Sequence, residues 1–221
     1  MSIGPKEHSR FMEATAEQCA TFYPVVIKNA ERHYKTAQVI AASGDYANAV
    51  AHIVLSGEEF LKAVVLYLDS KELGIRKIPG IHKLFYQHVL RHNVIKMVFS
   101  VLQFLQTTKE GMKMGIPGTL LGLVKGYYKG RANKAWWNQA DQLKLKAFYV
   151  DYTSTLSDPV SITETDYKTA LLRGTDLDKS VKSLINYIES MTEQELNDFK
   201  ESFHVTDIAD LLEDTIGGLH D

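Results

Sequence analysis

The sequence predicts an all-α fold, a helical bundle built around one long apolar helix. Residues 45–68, DYANAVAHIVLSGEEFLKAVVLYL, contain no proline and one internal glycine. Their apolar residues recur every three or four positions on a wide stripe, which is typical of a central helix packed on most sides. No segment shows the alternation of a half-buried strand, and no internal repeat is visible.

The helix before the central one is predicted from its apolar spacing and its end signals. Phe22, Tyr23 and Pro24 mark a helix start, because proline is favoured in a first turn. Apolar positions at helical spacing then continue to Ser43. Gly44 and Asp45 end this helix and cap the central one, so the two helices are expected to be antiparallel neighbours.

The rest of the chain also has helical signals. A third helix is predicted over residues 81–105, between loops at residues 71–80 and 109–118. Thr163 with Asp166, and Thr192 with Glu195, have the spacing of capping boxes. The predicted helices in this part begin at Thr163 and span residues 177–190, 193–203 and 207–212.

The composition limits the compartment in which the protein is expected and whether it enters a membrane. The 221 residues include one cysteine, so no intrachain disulfide can form, which fits a reducing compartment. No apolar run reaches the length of a membrane span, and the N-terminus has no apolar signal region. These features predict a cytoplasmic protein that does not enter a membrane.

Charge is divided unevenly along the chain. Residues 1–150 contain 20 basic and 11 acidic residues, a net charge of +9, whereas residues 151–221 contain 5 basic and 16 acidic residues, a net −11. A basic body with an acidic C-terminal section predicts either an anionic partner for the body or packing of the two parts on each other.

The central helix contains four polar residues on its otherwise apolar surface: His52, Glu58, Glu59 and Lys62. Glu58 falls on the apolar line, so we expect it to be at least partly buried and to need a partner. Lys62 follows Glu58 by four residues and Glu59 by three, so either carboxylate can pair with it. The pair is either a structural ion pair or one wall of a polar site inside the bundle.

Histidine and arginine residues in and before the predicted third helix could act on RNA. Metal-free RNA cleavage needs a group that handles the 2′-hydroxyl and leaving-group protons and a cation that holds the phosphate. Histidine titrates near neutral pH, and arginine binds phosphate with two hydrogen bonds. The predicted helix contains three histidines, His82, His88 and His92, and Arg76 precedes His82 with five residues between them. For each histidine, a helix-surface or core position is the alternative.

A basic and aromatic segment follows at residues 125–137. Its basic residues are Lys125, Lys129, Arg131 and Lys134. They are interleaved with Tyr127 and Tyr128 and followed by Trp136 and Trp137. Phosphate-binding charge beside stacking rings suits an RNA-contacting surface; the alternative is a solvated helix face with its aromatic rings turned inward.

Motifs for nucleotide or metal cofactors do not occur. The sequence has no phosphate-binding glycine loop and no nucleophile elbow. A carboxylate-bridged metal bundle needs two Glu-x-x-His pairs, and the single match is Glu201 with His204. We therefore expect neither a metal site nor a cofactor.

Two separated segments resemble the AbiV family of abortive-infection (phage-resistance) proteins. GDYANAVAHIVLSGEEFLKAVVLY is similar to the family's Gly-x-Tyr-x-x-Ala lead-in and its Glu-Glu-x-x-Lys helix, and the basic segment IHKLFYQHVLRHNVIK follows in the expected order. Farther on, LKAFYVDYTSTLSDPVSITETDY is similar to the family's Tyr-Val-Asp-Tyr segment. The resemblance covers about residues 20–175.

The resemblance implies a HEPN-like antiparallel helical bundle that dimerises. Many HEPN proteins are metal-independent ribonucleases with an Arg-x(4–6)-His motif, which Arg76 and His82 fit; His88, followed by Arg91, is the other candidate for the motif's histidine. We expect a HEPN domain at residues 1–175 and an acidic helical extension at residues 176–221 packed on it.

Two functions remain open at this stage. The first is a homodimeric antiphage ribonuclease, with Glu58 and Lys62 orienting the site and a 2′,3′-cyclic phosphate as product. The second is a non-catalytic protein that binds a phage product or the translation machinery through residues 125–137. A third possibility is a toxin that a separate antitoxin neutralises, and a phage protein could be the activator.

Overall fold

The computed structural model describes residues 13–75, 85, 135–152 and 156–202. Apart from one antiparallel pairing of two-residue strands and one 3-10 turn, the elements in this part of the chain are α-helices, so the predicted all-α class is confirmed. In chain order the elements are α1 (Ala16–Ala42), α2 (Tyr46–Ser70), α3 (residues 135–148), β1 (Asp151–Tyr152), β2 (Leu156–Ser157), the 3-10 turn (Pro159–Ser161), α4 (Glu164–Glu189) and α5 (Glu193–Ser202).

α1 and α2 form the antiparallel hairpin that the sequence predicts. Gly44 has a φ of +86°, a conformation that glycine adopts without strain, and it ends the turn after α1. The Asp45 side chain then accepts a hydrogen bond from the Asn48 backbone N–H and caps α2. Both predicted end signals are confirmed.

The predicted start of α1 at Phe22–Pro24 is wrong. The helix begins at Ala16, because Thr15 and Gln18 form a capping box in which each side chain satisfies the other's backbone N–H. Pro24 lies inside the helix. A proline there removes one backbone hydrogen bond, and the continuation of the helix on both sides of it indicates that packing offsets this loss.

α2 is the centre of the core, with 17 of its 25 residues buried. α1 and α4 pack on it, and polar contacts fix how the three helices meet. The Ser56 hydroxyl donates to the Ala30 carbonyl at 2.8 Å, which joins α2 to α1, and the hydroxyls of Tyr34 and Thr175 lie 2.6 Å apart, which joins α1 to α4.

α4 is one continuous helix, not the two segments that the sequence suggests. Thr163 caps it in a box with Asp166 as predicted, but the helix then runs through residue 177 to Glu189. Gly174 allows the close approach in its middle, since a Cβ there would lie 3.0 Å from Ile53 Cγ2 and 3.3 Å from Tyr34 Cε2. The domain boundary expected at residue 176 therefore falls within α4, and the division into domain and extension stays a prediction.

Several predicted elements lie outside the described residues. These are the third helix at residues 81–105 (except position 85), the loop at residues 109–118 and the short helix at residues 207–212. The capping box of Thr192 with Glu195 is present, and α5 follows it at Glu193–Ser202.

Candidate functional site

Glu58 is an almost fully buried carboxylate in the middle of α2. Its side chain is 1% exposed, and the ammonium of Lys144 on α3 lies 2.6 Å from its Oε1. Lys144 is itself 7% exposed and is also 3.1 Å from Asp141 Oδ1, one turn earlier on α3. Burial of Glu58 was predicted and is confirmed, and its partner comes from a helix 86 residues farther along the chain.

Lys62 pairs with Glu59, the second of the two carboxylates that the sequence places within reach of it. Its ammonium contacts Glu59 Oε1, and the two side chains are 18% and 17% exposed. Glu59 and Lys62 lie with Asn48, His52 and Leu55 on the one stripe of α2 that is only half-buried. The central helix therefore has two charge pairs with different surroundings, Glu58–Lys144 inside the core and Glu59–Lys62 at its edge.

α3 packs closely against α2 beside the Glu58–Lys144 pair. Gly57, the residue before Glu58, lies against the indole of Trp137, and a Cβ built on this glycine would be 2.2 Å from Trp137 Cη2. Trp137 is completely buried. Because Gly57 has no side chain, the surface of α2 has a notch at this position, into which the indole fits; we call it the Trp137 notch.

The two tryptophans at the end of the predicted basic and aromatic segment face the protein interior. Trp137 is a core residue, and Trp136 packs against the same cluster with its ring centroid 4.7 Å from that of Trp137. For these two rings the inward alternative is therefore the correct one, and neither forms an exposed stacking platform. Tyr127 and Tyr128 lie outside the described residues.

A histidine pair links α1 and α2 at the half-buried stripe. The Nδ1 atoms of His33 and His52 are 3.0 Å apart, which is a hydrogen bond in which one ring donates and the other accepts. Burial lowers the pKa of both histidines; for His33 the neighbouring His52 and Arg32 lower it further, and for His52 Arg32 does so. Glu59 acts in the opposite direction on His33, and Lys62 adds to the lowering.

A third polar cluster joins the end of α2 to the end of α4. The Tyr67 hydroxyl donates to the Ile185 carbonyl at 3.2 Å and to Glu189 Oε1 at 3.1 Å, and Lys71 Nζ is 2.9 Å from the same carboxylate. Burial, reinforced by Glu189, raises the pKa of Tyr67 well above its usual range. The hydrogen bond from Lys71 lowers the pKa of Glu189 despite its partial burial.

Most of the site residues predicted from sequence lie outside the residues that the structure describes. The predicted residues outside the described part of the chain are Arg76, His82, His88, Arg91, Lys125, Lys129, Arg131 and Lys134. Glu58 and Lys62 are placed, and each has a different partner, so the Glu58–Lys62 pair is not formed. Their expected role in orienting a substrate stays a prediction.

Sequence reasoning missed Lys144, His33 and Arg32. Asp141 and Lys144 have the i, i+3 spacing of a helical ion pair, which was the available signal for a charged site on α3. His33 has no signal in the sequence that ties it to His52, because only the antiparallel packing of α1 on α2 brings the two together.

Within residues 13–75, 135–152 and 156–202, no group of three or more histidine, cysteine, aspartate or glutamate side chains is arranged to hold a metal ion. None of the helices in the described part of the chain combines the length and the apolar content that a membrane crossing requires.

Comparison with known proteins gives one match. Residues 18–177 match the family model HEPN_AbiV, whose description is AbiV. No curated protein and no solved structure matches the chain. The matched range is well over half of the 221 residues and contains α2, α3 and most of α4.

Proposed function

Because the chain belongs to the AbiV family of HEPN proteins, we propose that it is an abortive-infection protein that acts as a metal-independent endoribonuclease and halts host translation when a phage infects. The family match supports a role in defence against phages. The observation that carries the catalytic part of the proposal is the Arg76-x5-His82 spacing within the matched range.

The proposed reaction is a transesterification within RNA. The 2′-hydroxyl attacks the adjacent phosphorus and loses its proton, the bond to the 5′-oxygen breaks, and that oxygen takes up a proton. The products are a 2′,3′-cyclic phosphate and a 5′-hydroxyl end. His82 or His88 handles the protons, and Arg76 or Arg91 neutralises the charge on the phosphate.

The two charge pairs of α2 suit different roles in this proposal. Lys62 and Glu59 lie at the half-buried edge of α2, so Lys62 can contact a substrate from there. Glu58 is enclosed, and the ion pair that it forms with Lys144 ties α2 to α3. We therefore assign Lys62 to substrate orientation and Glu58 to holding the scaffold.

Cleavage of RNA by the purified protein in EDTA tests the proposal. We expect cleavage that survives EDTA, fragments that mass spectrometry shows to end in cyclic phosphate, and loss of activity in either His82→Ala or His88→Ala. Arg76→Ala and Arg91→Ala identify the phosphate-binding arginine in the same way. If the wild-type protein cleaves no RNA, either alone or with extracts of phage-infected cells, the proposed ribonuclease activity is wrong.

A non-catalytic interaction protein is the second candidate. Exposed apolar side chains are concentrated at the end of α3 and just after it, where Leu145, Phe148, Tyr149 and Val150 are between 43% and 62% exposed. Such a patch is typical of a protein–protein contact, which would be either a homodimer interface or a surface for a phage protein. Light scattering of wild-type protein and of Phe148→Ser distinguishes these, since a homodimer that uses this patch dissociates in the variant.

A further inference from the structure

The outer face of α1 carries basic residues around a shallow depression. Lys28, Arg32 and Lys35 line it together with Glu31, Thr36 and Val39. The three basic residues are exposed, and none of them forms an ion pair with any other residue in the described part of the chain. They fall within two helical turns, about 10 Å of helix length.

The charge of this face is not cancelled locally. Among the residues that the structure describes, Glu31 is the one carboxylate on its lining, and the Lys182 ammonium of α4 contacts it at 2.8 Å. The three cations and Glu31 leave a net charge of +2 even before Lys182 is counted. Unpaired cations that surround a depression are what an anionic ligand requires.

Arg32 connects the depression to the histidine pair. Asn29 Oδ1 accepts hydrogen bonds from Arg32 Nη2 at 2.8 Å and Nε at 3.2 Å, which directs the guanidinium. Arg32 also lies close enough to His33 and His52 to disfavour their protonated forms. The guanidinium therefore lies on the basic face and within electrostatic range of the histidine pair.

The histidine pair can donate to an anion. In the neutral pair, the ring that donates through Nδ1–H has an unprotonated Nε2, and the ring that accepts at Nδ1 has an Nε2–H. Among the described residues neither Nε2 has a hydrogen-bond partner. One ring thus offers a donor at neutral pH, and both do so once the pair takes up a proton.

We propose that the face formed by Lys28, Arg32, Lys35 and the His33–His52 pair binds the sugar–phosphate backbone of RNA. This inference rests on the proposed function only in taking RNA as the polyanion. It adds a binding surface on α1 to a ribonuclease whose proposed histidines and arginines lie elsewhere in the sequence. Lys62, assigned above to substrate orientation, lies on the same half-buried stripe of α2 as His52, so the strand would run along α1 and past the histidine pair.

The geometry favours a nucleic acid strand over an acidic protein. Lys28, Arg32 and Lys35 are separated by four and three residues, which is about 6 Å and 4.5 Å along the helix axis, so the three cations can meet successive phosphates of one extended strand. An arginine directed by Asn29 and an imidazole N–H match the oxygen atoms of a phosphate group. The depression has one large apolar residue, Val39, and so offers little to an apolar side chain.

Binding of a 2′-O-methyl oligoribonucleotide of roughly a dozen nucleotides tests the proposal without requiring cleavage. The oligonucleotide lacks the attacking hydroxyl, so failure of binding and failure of catalysis are observed separately. Fluorescence anisotropy should show that Arg32→Gln weakens binding about tenfold and that Lys35→Gln acts in the same direction. Loss of one phosphate contact should also lower the slope of log affinity against log salt concentration by about 0.7.

Lys168→Gln is the matched control, since it removes one exposed lysine from α4, outside the depression. It should leave the affinity within twofold of wild type. If Arg32→Gln and Lys168→Gln lower the affinity equally, binding is diffuse electrostatics and the proposal is wrong. If polyglutamate displaces the oligonucleotide as well as unlabelled RNA does, the partner is an acidic protein and the RNA assignment is wrong.

A pH series tests the histidine pair. The groups that face it are Arg32 on α1 and Glu59 and Lys62 on α2. An anion bound beside the pair favours protonated histidine, so wild-type affinity should rise as pH falls from 8 to 6. His33→Asn and His52→Asn should each remove this rise, so that the affinities at pH 6 and pH 8 become equal. A rise that persists in both variants excludes the pair from the site.

Discussion

Removal of the buried lysine at the α2–α3 contact should be the most destabilising single charge change in the described part of the molecule. In Lys144→Met the side chain keeps much of its length but loses the ammonium that lies 2.6 Å from Glu58. A carboxylate that is 1% exposed then stays in the core without this counter-charge. Breaking a buried ion pair from one side typically costs about 3–5 kcal/mol.

The loss is measurable as a change in the free energy of unfolding. For a chain of this size, 3–5 kcal/mol corresponds to a fall in Tm of roughly 10 °C. Urea unfolding followed by far-UV circular dichroism should give the same free energy if the transition is two-state. The double variant Glu58→Gln/Lys144→Met should recover a large part of the loss, because it removes both charges and keeps the volume.

Lys62→Met is the matched control, because it removes the lysine of the other ion pair that involves α2. Its pair with Glu59 is partly solvated, so its loss should cost less than about 1 kcal/mol. Under the proposed function this variant should instead reduce RNA cleavage, whereas Lys144→Met should change cleavage only through stability. Equal stability losses in Lys62→Met and Lys144→Met would refute the distinction between an enclosed and an edge pair.

Three further predictions follow from other contacts. Gly57→Ala should destabilise the protein by about 1–3 kcal/mol despite the better helix propensity of alanine, because its Cβ would meet the Trp137 ring. An unchanged Tm together with unchanged tryptophan fluorescence would contradict the close fit of the indole in the Trp137 notch. His33 and His52 have folded-state pKa values below the ordinary value of histidine, so the unfolded chain takes up protons first as pH falls. Stability should therefore decrease from pH 7 towards pH 5, and His52→Gln should flatten that dependence in urea titrations. Thr163→Ala should cost about 1 kcal/mol through loss of the α4 cap, measured by thermal unfolding, and a neutral effect would show that α4 does not depend on its capping box.

The features that could be predicted from sequence are those encoded within a few neighbouring residues. Gly44 and Asp45 specify a turn and a cap locally, and Thr163 and Thr192 specify helix starts through partners three residues away. The apolar stripe of α2 likewise predicted a central helix, and Glu58 was expected to be buried because it interrupts that stripe.

Features that depend on packing between distant segments could not be predicted in this way. The partner of Glu58 is 86 residues away, and no local pattern selects Lys144 over the nearer Lys62. The close approach of α4 to α1 and α2 depends on Gly174, and no local pattern reveals that this glycine lies against Ile53 and Tyr34. The same applies to the His33–His52 pair, whose two members are unremarkable when each helix is considered alone.

The Trp137 notch has a consequence for how the chain is made. The notch and the indole that fills it are separated by about 80 residues, so a ribosome synthesising roughly 5–20 residues per second needs on the order of 4–16 s between them. During that interval α2 has been made but its partner has not. The nascent α1–α2 hairpin therefore presents an unfilled apolar cleft beside a carboxylate that still lacks Lys144, a surface of the kind that chaperones protect during synthesis.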